Sequence, residues 1–177
     1  IIHTAATENR DGKGAVVVFA AGNEDREISD NELAALEDVI NVTATDRYGQ
    51  PTQYTNYGKS VDIAAPSATV TTAPPDIYIT NFGGTSAASP VVAGVVAWIL
   101  SVKPDYTASQ VRQLLVGTAR RSPTVDFDES DHNYYYGHGE IDGKKIVETL
   151  FPQDEKDDDK DKPTKKGCDC NSTNHIS

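Results

Sequence analysis

The apolar residues fall into short uninterrupted runs set between stretches rich in turn-forming residues. Residues 15–20 (Ala-Val-Val-Val-Phe-Ala) form a continuous run rich in β-branched side chains, the form of a strand buried on both faces of a parallel sheet. Residues 39–45 (Val-Ile-Asn-Val-Thr-Ala-Thr) predict a second buried strand. Residues 1–10, with Ile1, Ile2, Ala5 and Ala6 apolar, predict the end of a helix broken by Asp11-Gly12-Lys13-Gly14. Residues 25–38 are polar and acidic with one weak helical turn at Leu33-Ala34-Ala35-Leu36, and residues 46–58 are turn-rich. Val70-Thr71-Thr72-Ala73 and Ile77-Tyr78-Ile79 predict short strands either side of a Pro74-Pro75 turn. These strand stretches are expected to carry packing, not chemistry.

The longest apolar run follows a polar, glycine-containing loop. Asn81-Phe82-Gly83-Gly84-Thr85-Ser86 leads into Ala87-Ala88-Ser89-Pro90-Val91-Val92-Ala93-Gly94 and on to Leu100. Small residues recur on a helical spacing, and Pro90 is expected within about the first turn, where a missing N–H costs least. Ser86 falls at the loop–helix junction. There, unpaired backbone N–H groups and the positive end of the helix dipole favour a developing negative charge. Serine is also a favoured N-cap, and taken alone Ser86 reads as nothing more. Two further helices follow. Thr107-x-x-Gln110 is a capping-box pattern with Val111, Leu114 and Leu115 as the buried stripe and Gly117 as a stop. Asp142 is placed to cap a last helix running to Leu150.

Composition narrows the partners. The 177 residues include 16 Lys and Arg against 27 Asp and Glu, a formal charge of −11. That balance argues against nucleic acid or an anionic membrane surface. No apolar run is expected to reach the length of a membrane span, the helix after Ser86 being the longest candidate. The chain holds no methionine, not even at position 1, so it is expected to be processed, truncated or excerpted, and a missing signal peptide says nothing. Pro152 is expected to end the folded domain, residues 1–152. Residues 153–177 carry seven Asp or Glu, five Lys and one aliphatic residue, Ile176, and read as a disordered charged tail. In that tail Cys168-Asp169-Cys170 offers too few thiols for zinc and too tight a loop for an unstrained disulfide; modification, lipid attachment and no structural role all fit. Asn41-Val42-Thr43 and Asn171-Ser172-Thr173 match the glycosylation sequon, the first inside a predicted buried strand. Asp126-Phe127-Asp128-Glu129-Ser130-Asp131 lacks the glycine and distal glutamate of a helix–loop–helix calcium site and reads as a solvated acidic loop.

The whole string Gly-Thr-Ser-Ala-Ala-Ser-Pro followed by Val-Ala-Gly resembles the nucleophile motif of the subtilisin-like serine proteases, usually Gly-Thr-Ser-Met-Ala-Ser/Thr-Pro-His-Val-Ala-Gly. Here Ala87 stands for the common Met and Val91 for the common His. About sixty residues earlier, Ala20-Ala21-Gly22-Asn23 resembles the family's oxyanion segment. Residues 39–44, 61–66, 103–112 and 134–142 resemble further family segments in the same order.

The resemblance implies a three-layer α/β/α fold with a mostly parallel sheet, incomplete at its N-terminus. It implies a serine endopeptidase acting on polypeptides through an acyl-enzyme on Ser86, with Asn23 as side-chain oxyanion donor and the Ser86 N–H as its partner. Ala20, Ala21, Gly22 and Gly84 would line the substrate. It also implies secretion and structural calcium in the parent, with no cofactor needed for the chemistry and no convincing ligand set here.

Where the family often has a Tyr-Pro-Ala-type segment beside the specificity pocket, this chain has Glu32-Leu33-Ala34, so specificity stays open. The family's catalytic Asp and His precede the serine in Asp-(Ser/Thr)-Gly and His-Gly-Thr-His contexts. Neither context occurs, and none of His3, His132, His138 and His175 lies in one. The expectation is that the N-terminal half of the domain lies upstream and that this chain alone is inactive. Two other readings keep the same residues: a catalytically dead binding or scaffold relative, and a sedolisin-type acid peptidase, which would carry an acidic oxyanion residue where this chain has Asn23. A plain α/β interaction domain would have to match five segments in order by chance.

Overall fold

The computed structural model describes residues 1–153; the tail features at Cys168, Cys170, Asn171 and His175 lie outside the described residues. The chain runs α1 (Ile2–Glu8), β1 (Val17–Ala20), a 3-10 turn (Leu33–Ala35), β2 (Val39–Thr45), β3 (Ile63–Pro66), β4 (Thr69–Ala73), β5 (Ile77–Phe82), α2 (Thr85–Val102), α3 (Ala108–Thr118) and α4 (Gly143–Leu150).

Strands β1, β2 and β3 form a parallel sheet in that order, with Val18 opposite Ile40 and Val42 opposite Ile63. Strands β4 and β5 pair separately as an antiparallel hairpin. The expected α/β class with a mostly parallel sheet is what the chain builds. Central β2 is buried at all seven positions. Its even residues Ile40, Val42 and Ala44 enter the main core, together with Ile63 and Ala65 of β3. Against that face lie Ala88, Val92, Val96 and Ile99 of α2, Val111 and Leu115 of α3, and Ile146 and Leu150 of α4. The other face of β2 carries polar residues. Thr43 donates to the Tyr135 carbonyl at 2.6 Å and Thr45 to the Glu140 carboxylate at 2.7 Å, so irregular chain, not a helix, seals that side among the described residues. A smaller core of Ala21, Ile28, Ala34 and Val61 lies apart from the main one.

Several expectations shift in detail. Strand β1 is only half-buried, not covered on both faces, because it has one strand neighbour, β2, among the described residues. The hairpin strands are largely exposed, Val70, Ile77 and Tyr78 among them, so β4 and β5 do not carry packing as expected. Gly117 lies inside α3, which ends one residue later. Pro90 is the sixth residue of α2, past the first turn, where its missing N–H leaves the Ser86 carbonyl without its helical donor. Helix α2 is also long and apolar enough, at mean hydropathy 1.7 over 18 residues, to meet the length of a span, contrary to expectation. Its packing on all three parallel strands makes it the core helix of the fold.

The predicted caps are present. Thr107 accepts from Gln110 N at 3.1 Å while the Gln110 side chain accepts from Thr107 N at 2.8 Å, and Asp142 accepts from Lys145 N at 3.0 Å. Each satisfies first-turn N–H groups that helix geometry leaves open. Asn41 is fully buried, so its sequon is inaccessible in this fold.

Candidate active site

The parallel strands deliver their C-terminal ends to one rim, and the loop after β1 meets the start of α2 there. Thr85, fully buried, is the joint. Its N–H donates to Asn23 Oδ1 at 2.9 Å, its hydroxyl to the same oxygen at 3.1 Å, and its Oγ1 accepts from Gly22 N at 3.1 Å. A backbone N–H can only donate, so the atom facing it must be the Asn23 oxygen. The amide is thereby oriented. Its Nδ2 makes no hydrogen bond among the described residues and belongs to an exposed side chain.

The first amides of α2 show a matching selectivity. Gly84 N donates to the Tyr54 hydroxyl at 3.1 Å, Thr85 N to Asn23, and Ala87 N to the Gly84 carbonyl at 2.9 Å. Ser86 N–H alone of these four has no partner among the described residues, and the Ser86 side chain is exposed beside it. Gly84 permits this approach. Its φ is +80°, and a Cβ there would sit 3.3 Å from both polar atoms of the Asn23 amide.

A polar scaffold braces the Asn23 loop. Buried Asn56 accepts from Glu24 N at 2.9 Å and donates to Glu24 Oε2 at 2.7 Å, while Asn56 N donates to the Gly22 carbonyl at 3.0 Å. Glu24 also accepts from Asn23 N at 3.1 Å. Farther along, Arg26 donates through Nη1 and Nη2 to the two carboxylate oxygens of Glu32, at 2.7 and 3.0 Å. The Arg26 hydrogen bond, then the Ser29 N–H, hold the Glu32 carboxyl down at about 2.

Of the residues expected at the site, Asn23, Gly22, Gly84 and Ser86 come together around Thr85. Ala20 ends β1 half-buried, and Ala21 is buried in the smaller core. The described histidines do not come to Ser86. His3 contacts Asp38 at 2.9 Å, His132 the Val61 carbonyl at 2.8 Å and His138 the Asp131 carbonyl at 3.0 Å. Thr85, Tyr54, Asn56 and Glu24 do not stand out as site residues in the sequence. Thr85 sits inside the nucleophile motif; the turn-rich stretch around Tyr54 and Asn56 carries no local signal of a site.

Residues 2–139 match the family model described as the Subtilase family. The calcium-dependent protease of Nostoc sp. is 31% identical, the match covering 84% of this chain and 26% of that protein. Subtilisin DY of Bacillus licheniformis is 37% identical over 77% of this chain and 48% of its own length. The solved structure of the prenylagaramide maturation protease PagA matches with a TM-score of 0.66 at 26% identity, covering 80% of this chain and 52% of that one. The chain thus spans from about a quarter to about half the length of these relatives. With the Gly84-Thr85-Ser86 entry to α2 and the Asn23 loop set against it, the chain belongs to the subtilase family.

Proposed function

We propose that this chain carries the nucleophile and oxyanion half of a serine endopeptidase active site. Ser86 Oγ attacks the scissile carbonyl carbon, and the carbonyl oxygen takes the negative charge. Asn23 Nδ2 and the Ser86 N–H donate to that oxygen. The carbon–nitrogen bond then breaks, the leaving amine takes the proton that Ser86 gave up, and water hydrolyses the acyl-serine. The observation that carries this reading is the Thr85–Asn23 pairing, which leaves those two donors unpartnered at one rim. Donors fixed before the reaction cost no reorganisation when charge develops.

The Ser86 proton needs a base. Each described histidine is engaged elsewhere, so the catalytic Asp and His are assigned to polypeptide outside these residues. That polypeptide has a surface to meet: the edge of β1 that is unpaired among the described residues, and the exposed face of α2, which has no charged residue and presents Pro90, Val91, Gly94 and Trp98 beside Val147 of α4. Substrate backbone would run past Ala20, Ala21, Gly22 and Gly84. Family resemblance supports a secreted parent protein. A calcium-dependent relative raises the question of calcium in the parent protein. No three His, Cys, Asp or Glu side chains converge among the described residues. Asp128 Oδ1 accepts from Ser130 N, the Ser130 hydroxyl and His132 N, at 2.8, 2.6 and 3.0 Å. No step is routed through a metal.

The test is labelling of the full-length protein with a fluorophosphonate probe alongside hydrolysis of an unfolded protein substrate. Both are expected, and both are expected to vanish in Ser86→Ala. Labelling that survives in Ser86→Ala would remove Ser86 from the mechanism. Replacing Asn23 as Asn23→Leu is expected to cost about 10²–10³ in kcat, the known cost of removing the oxyanion asparagine of a subtilisin.

A further inference from the structure

Tyr54 touches both halves of the candidate site. Its backbone carbonyl accepts from Asp25 N at 3.0 Å, two residues beyond Asn23. Its hydroxyl accepts from Gly84 N at 3.1 Å, two residues before Ser86. The ring packs against the main core and the hydroxyl oxygen lies 2.8 Å from Ser67 Oγ. Ser67 is itself buried and tied by its N–H to the Thr45 carbonyl at the end of β2. Because Gly84 N–H can only donate, the phenol oxygen accepts there and its proton is free to go to Ser67. A rigid aromatic side chain thus runs from the Asn23 loop, along the core, to the turn that launches the Ser86 helix.

We infer that Tyr54 is a positioning residue that fixes the distance between the Asn23 loop and Ser86, with Ser67 anchoring its hydroxyl. The inference rests on the peptidase reading for its kinetic consequence and on geometry alone for its structural one. The turn it holds needs holding. Gly83 and Gly84 have no side chains to pack, Gly84 sits at positive φ, and glycine backbone is the least restricted of any. Without the hydroxyl, Gly84 N–H loses its acceptor and the turn gains freedom where the reacting geometry is set. Small displacements there are costly, since a misplacement of about 1 Å can remove about 10² in rate.

The experiment uses the full-length protein and the variants Tyr54→Phe, Ser67→Ala and the double variant. Tyr54→Phe keeps the ring in the core, so the melting temperature is expected to move little while Gly84 amide hydrogen exchange accelerates several-fold. In hydrolysis, kcat is expected to fall about 10-fold with KM unchanged. Ser67→Ala is expected to give a smaller loss of the same kind, and the double variant to match Tyr54→Phe, because both remove one connected contact. Unchanged Gly84 exchange in Tyr54→Phe would overturn the inference. So would a change confined to KM, which would make Tyr54 a substrate contact, or full additivity of the two substitutions. If Ser86→Ala still cleaves substrate, the peptidase reading falls, and the exchange comparison still decides the role of Tyr54.

Discussion

Asn23 and Thr85, 62 residues apart in sequence, are joined by two hydrogen bonds to one oxygen: the Thr85 N–H at 2.9 Å and the Thr85 hydroxyl at 3.1 Å both end on Asn23 Oδ1. The backbone donor fixes which way the amide faces, and the hydroxyl, also accepting from Gly22 N, fixes where it sits. The loop carrying the proposed oxyanion donor and the helix carrying the proposed nucleophile are therefore one mechanical unit.

Thr85→Val removes the hydroxyl and keeps the shape. Gly22 N–H loses its acceptor and Asn23 one of its two restraints, so kcat is expected to fall about 10-fold with little change in KM. Stability should drop by about 1 kcal/mol from the unsatisfied donor. Thr85→Ser should restore both. Steady-state kinetics with a thermal melt decide the matter, and a wild-type kcat in Thr85→Val would show that the backbone bond alone orients Asn23.

Gly84→Ala places a methyl group 3.3 Å from both polar atoms of the Asn23 amide, on a residue whose φ is +80°. Strain at a positive φ and pressure on Asn23 act together. The expected outcome is a loss of at least about 10-fold in kcat, and slower fluorophosphonate labelling of Ser86. Equal labelling rates would count against a tight Gly84–Asn23 approach.

Arg112 and Asp62 give a pH-dependent prediction. Asp62 is buried, and both Nε and Nη2 of Arg112 donate to its Oδ1, at 2.8 and 2.5 Å, while Asn41 N donates to Oδ2 at 2.8 Å. Burial raises the Asp62 pKa above its usual value, and the Arg112 charge pulls it part of the way back. Arg112→Met leaves the carboxylate buried without its cation, so the folded-state pKa should climb further. A group with a raised folded pKa supports the fold while protonated and loses that contribution as the pH rises through the folded value. The variant should therefore be about 3 kcal/mol less stable at neutral pH, with the deficit shrinking as the pH falls toward about 4. Denaturant melts across that range test it; a pH-independent deficit would mean that lost packing, not charge, is responsible.

Ile99 lies at the centre of the main core with no exposed surface. Ile99→Ala should cost about 2–5 kcal/mol through lost burial and the cavity left behind. Because Ile99 is more than three turns from Ser86 along α2, kcat of the folded fraction should not change. A large kcat effect at full folding would show that α2 transmits core strain to the site.

Much of the framework was legible along the chain. Residues 15–20 and 39–45, rich in β-branched side chains, marked two of the three parallel strands, because burial between neighbouring strands favours such runs whatever the partners are. Residues 61–66 stood out by resemblance. The caps at Thr107 and Asp142 were legible because a cap is satisfied within four residues. Ser86 and Asn23 stood out through the resemblance of their local strings.

What the chain in order could not give is which groups meet across it. Thr85 orienting Asn23, Tyr54 bridging to Gly84, and buried Asn56 bracing Glu24 all join residues 30 or more positions apart. Nothing in a turn-rich stretch distinguishes an Asn that stays at the surface from one drawn beneath an active-site loop. Exposure was likewise a tertiary outcome. Strand β1 and hairpin β4–β5 have the composition of covered strands, yet the packing leaves β1 with one strand neighbour among the described residues and the hairpin largely open. Sequence alone determined the local elements and the identity of the candidate reacting side chains, because short-range hydrogen bonds and burial periodicity are written in neighbouring residues. The orientation of the Asn23 amide and the freedom of the Ser86 N–H were decided only by the tertiary structure, because a donor is free or spent according to what the fold brings to it from far along the chain.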